Sequence, residues 1–406
     1  MFLRGPTFSL VTALTAALAI ACSGSGSSAG SDGGGAGGSG AQSSGGSAGT
    51  SGTSGAGGSG AQSSGGTGGS GGSKVDSPFD DPNWAAPPCF GSSADLTISS
   101  RLPYARAAVG IPTYEGEFLV DLATTRSTID LLAFTAPGPT ATGCDPSFLG
   151  QSCSFAAFDF FGPWGSVQLV TADHSFVVGS VRQAGILGTD FLATVAVSLD
   201  YSHHEIYRAL SGALCTDAEL AATGLTALSS AGFFASDPTK LAALSEVRAG
   251  APAGLAVPNV PTVPLRIAGV DTVVQLDTGF DDSLVPYSIN VNEALFAAIS
   301  QLAPGALERA ADKDIALTTC AGVAELVEAY GLTAGHAVQF IDGGGSAARS
   351  YPTATLFVKH TPPAAQVCGG IGTWTVPAAQ LGASFFIDGK LWVFDPFTSR
   401  VWLAHD

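Results

Sequence analysis

From about residue 75 onward, short apolar runs rich in Val, Leu, Ile, Phe and Thr are broken by Gly, Pro and Asp. That rhythm predicts strands, with examples at 117–121, 166–171, 175–181, 194–200, 263–268 and 391–395. Helical patterns are fewer. Thr216 to Arg248 and Asn292 to Leu302 are rich in Ala and Leu and begin on polar residues, which predicts a helix in each. The expected fold class is all-β: mainly β with a few helices.

The N-terminal segment follows a different logic. Arg4 supplies a positive start and Phe8 to Ile20 is an uncharged, mostly apolar run. It is shorter than the ~20 residues a membrane span needs, which fits an export signal over 1–21. The sequence Leu18-Ala19-Ile20-Ala21-Cys22-Ser23 resembles a bacterial lipoprotein signal, in which the Cys22 thiol would receive the lipid. An ordinary secretory signal is the alternative. Residues 22–73 form a Gly/Ser-rich tether without aromatic side chains, and such a chain cannot offset its ordering entropy. A twelve-residue segment occurs twice in it, at 35–46 and 55–66. G-x-S-x-G matches around Ser47 and Ser70 lack the strand and helix a nucleophile elbow requires. The expected location is therefore exported and lipid-anchored to the cell envelope, at the outer membrane or cell surface.

Charge narrows the partners. A net charge of -17, with 16 Lys plus Arg in 406 residues, leaves no basic footprint for nucleic acid. It also argues against a hold on anionic headgroups, so the expected membrane contact is the lipid anchor alone. Beyond Cys22 six cysteines remain, and an even number in an exported domain favours disulfides. Proximity favours Cys144–Cys153, with Cys320–Cys368 closing a loop in the second half and Cys89–Cys215 clipping the ends of the first. No zinc-like spacing occurs.

The two halves share a plan. In the first, Phe118-Leu119-Val120 runs into Asp121-Leu122-Ala123-Thr124, and Ile186-Leu187-Gly188 follows later. In the second, Val273-Val274-Gln275-Leu276 runs into Asp277-Thr278-Gly279-Phe280, and Leu381-Gly382 follows later. A carboxylate at the end of a buried strand is costly unless its charge is shared or hydrogen-bonded. One such carboxylate per half suggests that each is the other's partner. Asp190, Asp200, Asp281 and Asp282 read as turn residues, with the last two in a solvated turn.

The Asp277-Thr278-Gly279 loop, the glycine segments and the closing run Phe386 to Ala404 resemble the pepsin-like and retropepsin-like aspartic peptidases over roughly 95–406. The resemblance implies two β-barrel-like lobes with a cleft between them. Residues 74–215 would form the N-terminal lobe, 216–255 a helical connection and 256–406 the C-terminal lobe. It further implies a catalytic dyad of Asp121 and Asp277 that activates a water to hydrolyse peptide bonds. Thr124, Thr278, Gly279, Gly188 and Gly382 would support the active-site loops, and Phe161 or Trp164 would tip a substrate-covering flap. The implied partner is a peptide or protein substrate met by a monomer, without metal or organic cofactor. Leu122-Ala123 departs from the family's Thr-Gly, and that departure leaves a second reading open: a catalytically inactive binding lipoprotein on the same fold. A surface scaffold of β-sheets is a third.

Overall fold

The computed structural model describes residues 84–404 together with Phe79 and Asp81, leaving aside 176–179, 210–211, 213, 234–258, 319–321 and 361–369. The signal, the tether, Cys22 and the expected Cys320–Cys368 pair lie outside the described residues.

The chain is mainly β. The first half contains β1 (Ser93–Ser99), β2 (Leu102–Val109), β3 (Tyr114–Val120), β4 (Thr128–Ile129), β5 (Ala141–Thr142), β6 (Ser152–Asp159), β7 (Pro163–Thr171) and β8 (Gln183–Leu187). Short helix α1 (Thr189–Leu192) follows, then β9 (Val197–Asp200) and β10 (Glu205–Arg208). β2, β3, β8, β4, β7 and β6 adjoin in that order, and the ring closes where Ala108 meets Asp159. β3 begins half-exposed and ends in buried Phe118, Leu119 and Val120, so the strand enters the core just before Asp121.

Helix α2 (Asp217–Ala222) and β11 (Leu225–Ser229) lead into the second half. There lie β12 (Thr262–Ile267), β13 (Val270–Leu276), β14 (Ser288–Asn292), helix α3 (Glu293–Leu302), β15 (Leu307–Arg309), β16 (Ile315–Thr318) and β17 (Ala324–Leu332). β18 (Val338–Ile341), β19 (Ala347–Tyr351), β20 (Thr355–Lys359), β21 (Ala378–Leu381), helix α4 (Ala383–Gly389), β22 (Leu391–Asp395) and β23 (Arg400–Ala404) complete it. The order β12-β13-β21-β14-β20-β17 reproduces β2-β3-β8-β4-β7-β6, with the same parallel and antiparallel pairings. In each half the strand that ends in the aspartate is separated from the strand after its loop by an intervening parallel strand. The loop must therefore bridge two strands that do not pair with each other.

The halves share a sheet. β9 pairs antiparallel with β22, matching Asp200 with Leu391 and Val197 with Phe394. Trp392, fully buried, packs there against Phe340, Phe386 and Phe394. One apolar core includes Phe118, Val120 and Leu122 from the first half and Val274, Leu276 and Phe385 from the second. Two disulfides are present as expected. Cys89–Cys215 spans 126 residues, and Cys144–Cys153 spans 9, joining the β5–β6 loop to the second residue of β6.

Other expectations need correction. Of the strand expected over 175–181, Ser175 is a turn residue and Ser180 a bend, outside any described strand. The helix expected from Thr216 and the helical connection over 216–255 shrink, among the described residues, to α2. The Thr216–Glu219 capping box starts α2, and Gly224 at φ 86 lies just beyond its end. Leu225–Ser229 is strand β11 because the edge of β23 offers it a full ladder, which outweighs the local Ala/Leu helix preference. α3 matches its expected range, with the Asn292 side chain accepting from Leu295 N. Among the described residues no helix is long and apolar enough to cross a membrane.

Candidate active site

Asp121 and Asp277 each follow the last residue of their strand, β3 and β13, at the matching point of the repeat. Both are buried, 3% and 8% exposed, and their side chains hydrogen-bond each other. Burial raises the Asp121 carboxyl above its ordinary range, against the pull of hydrogen bonds from Thr124 and Ala123. Burial, reinforced by the charge of Asp121, pushes Asp277 well above its range. Two acids in one buried site cannot both ionise cheaply, so the pair favours sharing one proton.

Each carboxylate is held by its own loop. The N–H of Ala123 donates to Asp121 Oδ1 at 2.8 Å and the Thr124 hydroxyl to Oδ2 at 2.5 Å. Gly279 N–H donates to Asp277 Oδ1 at 2.9 Å. The loops also interlock. Thr278 Oγ1 accepts from Leu122 N–H at 3.0 Å and donates to the Val120 carbonyl at 2.7 Å. A Cβ on Gly279 would lie 2.7 Å from the Asp121 carboxyl carbon, so only glycine lets the second loop pass this close.

Beneath the loops, the expected glycines play matching parts. Gly188 N–H donates to Ser127 Oγ, and Thr189 N–H to the Thr124 carbonyl at 2.8 Å. Gly382 N–H donates to the Ser288 carbonyl, and Ala383 N–H to the Phe280 carbonyl at 2.9 Å. A serine–aspartate pair then secures each side with the roles exchanged. Ser127 donates its hydroxyl and N–H to Asp190 after Gly188, whereas Ser384 after Gly382 donates its N–H to Asp282 at 3.0 Å. Burial raises the Asp190 carboxyl to about 6. Asp282 is therefore no solvated turn residue. It is 3% exposed, accepts also from Ser288 N–H, and lies 4.0 Å from the Arg101 guanidinium. That arginine comes from the β1–β2 turn, so a first-half hairpin braces the second-half loop.

Phe161 and Trp164 sit at the β6–β7 turn. The Trp164 indole donates to the Phe160 carbonyl and packs on Phe191, with Arg208 stacked 4.6 Å from its ring centre. Arg208 also donates to the carbonyls of Phe160 and Phe161. These bonds tie the turn to the body of the first half, and none of them presents a ring to the carboxylates.

The sequence reading missed Gln380 and Asn290. Gln380 Nε2 donates to Asp277 Oδ2 at 2.5 Å, and Asn290 Nδ2 donates to Gln380 Oε1 at 2.9 Å. The available signal was a lone amide two residues before Gly382, in a strand otherwise made of Ala378, Ala379 and Leu381. No family model matches the chain, and no curated protein matches it in sequence.

Proposed function

We propose that this chain is an aspartic endopeptidase-like envelope lipoprotein with a two-lobed, pepsin-like arrangement. The observation that carries the reading is the hydrogen-bonded Asp121–Asp277 pair, set where two matching loops cross and lock through Thr278. The paired, buried carboxyls support a mechanism in which ionised Asp121 takes a proton from a water while protonated Asp277 hydrogen-bonds the peptide carbonyl oxygen. The water oxygen attacks the carbonyl carbon, the C–N bond then breaks, and the departing nitrogen leaves as an amine after taking up a proton. The substrate class is an extended peptide between the lobes.

The test is cleavage of a denatured protein from about pH 3 to pH 7, with and without a statine-type transition-state mimic. Activity on the acid side of neutrality that the mimic blocks is the expected result. Correctly folded protein that cuts nothing under any of these conditions overturns the reading.

One observation favours a second reading, a binding protein without catalysis. Leu122 gives Thr278 only its backbone N–H and has no hydroxyl to reach into the second loop, so the side-chain interlock comes from Thr278 alone. A double variant, Leu122→Thr with Ala123→Gly, separates the two. If it cleaves and the parent does not, the parent is a binder. For the anchor, the Leu18 to Ser23 segment supports lipid attachment at Cys22 and residence at the cell envelope.

A further inference from the structure

The two carboxyls draw their outer donors from different places. In the first loop Thr124, three residues after Asp121, covers Oδ2 with its hydroxyl. The residue at the same point of the second loop is Phe280. The match is structural, since the carbonyls of Thr124 and Phe280 accept from the residues just after Gly188 and Gly382. A phenyl ring has no proton to donate. Asp277 Oδ2 is served instead by Gln380, from β21, whose amide is oriented by Asn290 directly across the ladder on β14. Both amides are buried, at 8% and 4% exposure, and a buried amide is costly unless its bonds are made.

We propose that Gln380, held by Asn290, is a positioning residue that replaces the hydroxyl missing from the second loop and fixes both the plane of the Asp277 carboxyl and the stability of its ionised form. The proposal rests on reading the aspartate pair as the reacting centre. Of the charged groups nearby, Asp121 faces Asp277 directly, Asp281 acts on Tyr104 of β2, and Asp282 is turned toward Ser384, Ser288 and Arg101. Gln380 is the uncharged group that reaches Asp277 from the strand beneath.

The sign follows from the donor. An N–H directed at a carboxylate oxygen bonds the anion more strongly than the neutral acid, so Gln380 lowers the pH at which the pair loses its last proton. Gln380→Leu removes the donor and should raise that upper step by about one pH unit, while the first ionisation, at Asp121, moves less. Asn290→Asp gives Gln380 a neighbour that only accepts. The amide then turns its nitrogen toward the introduced carboxylate and its oxygen toward Asp277, and the shared proton is kept to still higher pH.

Infrared difference titration of the carboxyl stretches in the full chain reads this directly, with Asp277→Asn assigning the bands. Thermal unfolding checks that each variant is folded. In parallel, the pH profile of kcat should move its alkaline limb upward in Gln380→Leu, with kcat about tenfold lower and KM little changed. A merely structural role would lower stability and leave the titration in place. An unchanged upper step in folded Gln380→Leu overturns the proposal. Where that variant does not fold, Asn290→Asp decides, and a titration like the parent's overturns it. Absence of cleavage would defeat the peptidase reading alone, because the infrared titration needs no substrate.

Discussion

Thr278 reaches across the molecule to hold the first loop by its backbone, accepting from Leu122 N–H and donating to the Val120 carbonyl, and Leu122 offers no hydroxyl in return. Leu122 is fully buried in the apolar core, so its side chain trades a polar crossing bond for packing. Removing the Thr278 hydroxyl in Thr278→Val should leave a buried donor and a buried acceptor unpaired, at a cost of about 2–4 kcal/mol. Urea unfolding measures it; a loss within about 0.5 kcal/mol would show that the bridge does not hold the loops.

The reverse experiment restores the missing hydroxyl. Leu122→Thr with Ala123→Gly should raise any peptide cleavage while lowering stability by about 1–3 kcal/mol, since buried methyl groups are lost. Both changes are read on the same preparation, by turnover of a quenched peptide and by denaturant midpoint. Lower stability without any gain in turnover would mean that Leu122 is not what limits the pair.

The carboxyl pair should make the fold sensitive to base. The Asp277 and Asp190 carboxyls are both raised above 3.8, Asp190 to about 6, chiefly by burial. A raised carboxyl contributes stability that is fully present below its unfolded value and is lost as pH climbs through the folded one. Stability should therefore fall from about pH 4 upward, the Asp190 share being lost by about pH 6 and the Asp277 share continuing higher. Asp277→Asn carries no charge to bury and should gain on the order of 1 kcal/mol over the parent at pH 7, with the gain vanishing near pH 4. The same variant should lose peptide turnover, as should Asp121→Asn, because neither carboxyl performs both proton transfers. A melting-point difference that does not change with pH would contradict this account.

The disulfides should differ in weight. In the chain-entropy picture, closing a loop of 126 residues is worth about 5 kcal/mol and one of 9 residues about 2.5 kcal/mol. Removing Cys89–Cys215 by paired serine substitutions should therefore lower the unfolding midpoint more than removing Cys144–Cys153. Equal shifts would point to strain or enthalpy as the controlling factor.

Lipid attachment has a direct assay. Metabolic labelling with a fatty-acid probe should mark the parent and spare Cys22→Ala. Equal labelling of the two would remove the anchor.

The strands and the paired aspartates were legible in the chain because they depend on local chemistry. Short apolar runs broken by turn residues specify strands whichever partners they find, and Phe118 to Asp121 and Val273 to Asp277 each show a strand ending in a carboxylate that cannot stay alone in an apolar interior. Sequence proximity was enough for Cys144–Cys153. Contacts made at long range were decided by the tertiary structure. Leu225–Ser229 became strand only because β23, some 170 residues on, presents an open edge. Asp282 looked like a surface turn residue until folding set Ser384 and Arg101 beside it, more than 100 residues away on either side. Gln380 lies 103 residues from Asp277, and nothing local to either reveals the bond. A hydrogen bond is fixed by distance and angle in space, and spacing along the chain carries that information only where the backbone between the partners is short.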